Sequence, residues 1–289
     1  MTLSTKQSII NHNPVLQKYY ASLESRIGYR LFLGGTRHFG YYATSKSSPL
    51  PIDGALRAME RELFRALNCP EGSVVLDAGC GVGHVALYMA EHGKYKVECI
   101  DVVERHISKA KDNISRARMQ GSVTAQVGDY HHLENFASSS FDGIYTMETL
   151  VHSTDPLQVL REFFRLLKPG GHIALHEYDH DDLDKAPRKL ADAMRKVNKY
   201  ASMPANQSFD RDVLKHLLEE AGFEDVELKD LSEHVVPMMW LFYVFAIVPY
   251  MIFKFLGIEH HFVNTVAGAE MYRGRSLWRY IQVTGRKKM

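Results

Sequence analysis

Cysteine is scarce in this chain of 289 residues, with Cys69, Cys80 and Cys99 making up the whole complement. A small, odd number of thiols excludes a disulfide framework and predicts a reducing compartment. An excess of either charge is also missing. The 35 Lys and Arg against 34 Asp and Glu leave a formal net charge of +1. Neither a basic groove for nucleic acid nor an acidic tail is expected. Histidine is plentiful, but the pairs His131–His132 and His260–His261 are not set at a metal-ligand spacing with Cys or carboxylate, so no metal is predicted. Thr2 to Asn13 is polar and lacks the apolar core of a secretory signal. Together these absences predict a cytoplasmic protein.

Long uncharged runs are rare too, with one exception. Val235 to Phe253 carries no charge and could span a bilayer by length. Pro237 and Pro249 are expected to break it, because proline removes a helix hydrogen bond. It also lies in a region that must return to a sheet.

The chain is organised around Val74 to His84. Val74, Val75 and Leu76 read as a buried strand that ends in Asp77. Gly79, Gly81 and Gly83 form a tight turn before a helix, where a ligand can approach the main chain. A dinucleotide fingerprint needs Gly or Ala where His84 stands, which argues against a nicotinamide oxidoreductase. An acid two residues before the first glycine, followed by Gly-x-Gly-x-Gly, resembles motif I of the Rossmann-like S-adenosylmethionine (SAM) methyltransferases.

The remaining pattern is α/β. Strands are expected at Lys96–Asp101, Val123–Val127, Phe141–Met147, His172–Tyr178, Phe223–Leu231 and Trp278–Thr284. Helices are expected at Pro14–Arg26, Asp53–Leu67, His84–His92, Glu104–Gln120, Asp155–Leu167, Leu183–Met203 and Ser208–Ala221, the last capped by Ser208. The prediction is a doubly wound, mainly parallel, seven-stranded Rossmann-like sheet, its last two strands a hairpin interrupted by an insert. Residues 1–68 would form a helical arm or lid, 69–231 the SAM-binding core, 232–277 an apolar substrate cap and 278–289 the last strand. Ligands of such sheets bind at the carboxyl ends of strands. Asp77, Asp101, Asp129, Glu148 and the Tyr178-Asp179-His180 group should therefore share one edge.

A finer resemblance covers roughly residues 36–180. His38-Phe39-Gly40-Tyr41-Tyr42, and Phe141-Asp142 through Tyr145, Glu148 and His152, are similar to segments of the sterol and tocopherol methyltransferases. The resemblance implies SAM as cofactor. Tyr42, Asp77, Gly79, Cys80, Gly81, Asp101, Gly128, Asp129, Tyr130 and Glu148 would hold it, with Asp101 on the ribose and Asp129 facing the adenine. His152 is the first candidate base, since an acceptor near neutral pKa suits attack by a hydroxyl. Capping or packing of the next helix is its alternative role. His180 and Glu148 complete the catalytic set, and His176 reads as a buried structural histidine. Tyr41, Tyr178, Trp240, Tyr243 and Phe253 are candidates for an apolar substrate. A homodimer interface or a membrane-surface patch is the alternative reading of the cap. The expected reaction is methyl transfer to oxygen of a polyketide- or terpenoid-type metabolite. C-methylation of a sterol-like lipid and a catalytically idle SAM-binding partner stay open beside it.

Overall fold

The computed structural model describes Leu16, Tyr19, Tyr20 and residues 33–289. The helix expected over Pro14–Arg26 lies outside those residues except for these three. Seven strands run β1 (Val74–Ala78), β2 (Lys96–Asp101), β3 (Val123–Val127), β4 (Phe141–Met147), β5 (Leu167–His180), β6 (Glu224–Asp230) and β7 (Trp278–Arg286). Eight α-helices occur among the described residues. They are α1 (Ile52–Leu67), α2 (His84–Gly93), α3 (Glu104–Ala117), α4 (Pro156–Leu166), α5 (Arg188–Tyr200), α6 (Val213–Ala221), α7 (Ser232–Phe255) and α8 (Val263–Arg273).

The sheet order is β3-β2-β1-β4-β5-β7-β6. The first five strands are parallel, with Val75 opposite Val97 on one side and Gly143 on the other. β7 wedges in antiparallel between β5 and β6. β1 is central, and Val75, Leu76 and Ala78 are fully buried between helical layers. That burial explains its unbroken apolar run, because both faces of a parallel sheet are covered. The order reverses beside β1, which opens a crevice at the carboxyl ends of β1 and β4.

Three local expectations are corrected. Ser208 does not cap α6; its hydroxyl donates to the Ala205 carbonyl in a short 3-10 turn, and α6 begins later at Val213. The strand expected over His172–Tyr178 starts earlier, at Leu167, through an irregular stretch where the register shifts against β4. The prolines do not break the apolar run: α7 passes through Pro237 and Pro249 as one helix of 24 residues. Val235, Met238, Met239, Ala246 and Tyr250 are buried on its inner side. Tertiary packing of these side chains outweighs the hydrogen bonds that the two prolines remove.

The segment before α1 is pinned across the fold. Tyr41 N–H donates to the Ala55 carbonyl and Tyr42 N–H to that of His234, both at 2.9 Å. Gly40 must be glycine, since a Cβ there would stand 2.7 Å from that of Ala55. At the other end of the molecule, Asp155 accepts from Gln158 N–H at 2.9 Å and caps α4, with Pro156 following it. Asp155→Ala should lower stability by about 0.5–2 kcal/mol in urea denaturation; an unchanged midpoint would remove the cap from the account.

Candidate functional site

Two cavities meet at the carboxyl ends of the strands. The first is lined by Asp77, Gly79, Cys80, Gly81, Asp101, Gly128, Asp129, Tyr130 and Glu148, nine of the residues expected to hold SAM. Gly79 adopts φ +93°, and a Cβ there would lie 2.4 Å from Thr149 Oγ1. The β1 and β4 loops therefore touch only because residue 79 has no side chain. Asp101 is held ready: Oδ2 accepts from Gly81 N–H at 2.9 Å and Oδ1 from Val103 N–H at 2.8 Å, with His106 Nδ1 at 3.2 Å. Asp129 accepts from the backbone and ring of His131 at 2.9 and 2.6 Å. These features fit a nucleoside-bearing ligand: a cradle without Cβ atoms, a carboxylate beside it and Tyr130 as an apolar wall. Burial pushes the Asp77 carboxyl up to about 8, with the nearby charge of Asp101 adding to it.

The second cavity, of about 330 Å³, lies between the first and the α7–α8 pair. Phe39, Tyr178, Met239, Phe242, Ala246 and Met271 give it an apolar lining. Its size falls at the small end of the range for pockets that bury small molecules. Tyr20, Arg37, His38, Glu148 and His152 line both cavities and form a polar partition between them.

Glu148 is the best anchored member. Its Oε1 accepts from Phe39 N–H at 2.7 Å and Tyr280 OH at 2.9 Å, and Tyr178 OH donates to Oε2. Its backbone is left-handed at φ +58°, an uncommon state for a residue with a side chain. Burial raises its pKa, while His38 and its donors pull the other way. His152 faces the Ser202 carbonyl through Nδ1 at 2.8 Å and Tyr20 OH through Nε2 at 3.0 Å. A carbonyl only accepts, so Nδ1 carries the proton and Nε2 accepts from tyrosine. Burial lowers the His152 pKa and keeps the ring neutral.

Several expected residues stand elsewhere. His180 is fully buried between the carbonyls of Asp181 and Asn206, at 2.8 and 2.5 Å, and lines neither cavity. Tyr42 donates to the Pro49 carbonyl, and Tyr41 stacks on His234 at 4.1 Å. Both tyrosines fasten the arm to α7. Trp240 points outward, Tyr243 packs on Tyr272, and Phe253 stacks on Phe262 at 3.8 Å. The face of α7 that meets the cavity carries Met239, Phe242 and Ala246 instead. Tyr178 lines the second cavity and His152 lines both. Sequence reasoning missed Thr149, whose only cue is its place after Glu148. It missed Tyr20, Arg37 and His106, which carry no local signal. It also missed Glu177, fully buried, whose Oε1 accepts from Thr149 and Leu150 N–H at 2.9 and 2.6 Å and holds the loop after β4. Among the described residues no cluster of His, Cys, Asp or Glu could hold a metal ion.

A family profile described as a methyltransferase domain matches residues 54–228. The chain belongs to the SAM-dependent methyltransferase family. It is an enzyme fold of the Rossmann-like class I type, and SAM is its cofactor. Its relatives include the SAM-dependent Diels-Alderase iccD of Talaromyces variabilis, 43% identical over 94% of both chains. The O-methyltransferase resE of Aspergillus sclerotiorum is 31% identical over 71% of this chain and 75% of its own. Among solved structures, the cyclase SpnF superposes with a TM-score of 0.71 at 19% identity, covering 98% of this chain and all of its own. That likeness shows the fold.

Two outcomes test the cofactor cavity. Asp101→Ala should weaken SAM binding by about 1–3 kcal/mol in titration calorimetry, and unchanged affinity would remove Asp101 from the site. Burial keeps Asp77 protonated below about 8, while SAM is cationic. Binding should therefore expel a proton and tighten as pH rises towards 8, by up to about tenfold per unit. Asp77→Asn should flatten that dependence, and a wild-type affinity constant across this window would exclude the coupling.

Proposed function

We propose that this enzyme binds SAM in the glycine-loop cavity and closes a ring in a hydrophobic, polyketide-type substrate held under α7 and α8, by Diels–Alder addition of a diene to an alkene. The reading rests chiefly on one observation: the acids and bases at the partition are already engaged. Glu148 accepts from three donors and His152 has both ring nitrogens bonded. Such a site offers little for deprotonation and much for holding a shape. A cycloaddition exchanges two π bonds for two carbon–carbon σ bonds, moves no proton and expels no group. Its barrier falls when the reacting ends are held together and the polarised alkene is faced by fixed dipoles. Phe39, Phe242 and Met271 would fold the chain of the substrate, and the Tyr20 hydroxyl and Arg37 would face its polar end. When bound, SAM supplies a fixed positive charge and a transferable methyl group. The Diels-Alderase relative, similar over nearly the whole chain, supports the same reading.

Methyl transfer to a hydroxyl is the second reading, and one feature favours it. His152 Nε2 is an acceptor at the border of both cavities, on a ring kept neutral by burial. It could take a hydroxyl proton if Tyr20 swung aside. The O-methyltransferase relative supports it.

Incubation of the protein with SAM and a linear polyketide bearing a diene and an activated alkene separates the two. Ring closure gives a product of unchanged mass that has lost its diene absorbance. Methyl transfer gives a product heavier by one methylene, with S-adenosylhomocysteine formed in step. His152→Phe should spare the first reaction and abolish the second. Neither product, across a panel of such substrates, would overturn the proposal.

A further inference from the structure

The outer side of α7 is unusual for a surface helix. Trp240, Val244, Val248, Met251, Ile252 and Phe255 are all exposed, Val248 by 64% and Phe255 by 90%. No charged residue falls within Val235–Phe253. An apolar strip this long normally marks a contact surface. The inner side of the same helix carries Met239, Phe242 and Ala246 into the substrate cavity. Phe245 belongs to both sides, since it lines the cavity and is 56% exposed. The cavity therefore opens onto the apolar strip.

We propose that this strip docks on a lipid surface and that the hydrophobic substrate reaches the cavity from that surface, past Phe245. The delivery half rests on the hydrophobic substrate of the proposed function; the docking half does not. The continuity at Phe245 selects the occupant. A second copy of the chain seated on α7 would cover Phe245 and shut the mouth, whereas a lipid surface would feed it. The charges at the end of the strip are compatible with an anionic headgroup layer. Lys254 stands at its edge with the ammonium 5.4 Å from the Tyr250 ring centre. Glu259 is tied to Lys196 at 2.5 Å, and Glu270 accepts from Tyr250 OH at 2.5 Å. The helix lies on the surface rather than crossing it. Its inner side packs along α8 and the core, and about a third of its most apolar window is buried there.

The test uses the full protein with no substrate present. Phosphatidylcholine vesicles, with and without phosphatidylserine, are mixed with it and sedimented. The wild type should pellet with them, more strongly when phosphatidylserine is present. Its tryptophan emission should shift to the blue, because Trp240 is half-exposed on the strip and Trp278 is already buried. Val248→Glu combined with Ile252→Glu should weaken vesicle binding by about tenfold or more while leaving SAM affinity and the melting temperature unchanged. Wild type that stays in the supernatant with unshifted emission overturns the proposal. So does a dimer in solution that the same double substitution dissociates, which would make the strip an interface between copies. Since no turnover is read, failure here leaves the ring-closing reading standing, and failure of that reading leaves docking standing.

Discussion

One half-buried carboxylate ties the molecule together. Glu148 sits just past β4 in a left-handed backbone, and its oxygens accept from the arm at Phe39, from β5 at Tyr178 and from β7 at Tyr280. An unpaired carboxylate at this depth would be costly, so the three donors are a condition of its burial. They also decide where the arm closes and where the β5–β7 pair stands. The partition between the two cavities follows from that placement.

Burial sets the protonation of the titratable groups around this clasp. Asp77, Glu148 and Glu177 are all pushed towards their neutral forms by burial, Asp77 and Glu177 up to about 8. His176 is driven down to about 3 by the same cause. Burial alone drives these groups to avoid charge. A bound cation reverses the balance for an acid that faces it, because the attraction then offsets the cost of desolvation. Of these groups only Asp77 and Glu148 line the cofactor cavity, so the reversal concerns those two. The same burial keeps the imidazole of His152 neutral.

Legibility in the sequence followed the range of the interactions. The βα turn was plain because Asp77, Gly79, Gly81 and Gly83 encode backbone geometry within a few residues. That Asp101, Asp129 and Glu148 would share one edge was legible because strand ends in a parallel sheet must converge. Cap residues were misjudged for the opposite reason. Trp240, Tyr243 and Phe253 were selected for size, whereas rotation of α7 presents Met239, Phe242 and Ala246 to the cavity. His180 was selected for its place at a strand end, yet the backbone at Asn206 folds over it. The prolines of α7 were weighed as local breakers, and packing against α8 overrode them.

From its residues alone, this protein's sheet, its crossover helices and the acid-lined glycine cradle were determined, because each is encoded by periods and turns short enough to act along the chain. Tertiary structure alone decided the polar partition, the seating of Tyr41 and Tyr42 against α7, and the side of α7 turned to the second cavity. Those depend on contacts between segments more than a hundred positions apart, such as Phe39 with Glu148 and Tyr42 with His234. No local pattern carries that information, since the free energy of such a contact resides in the pair.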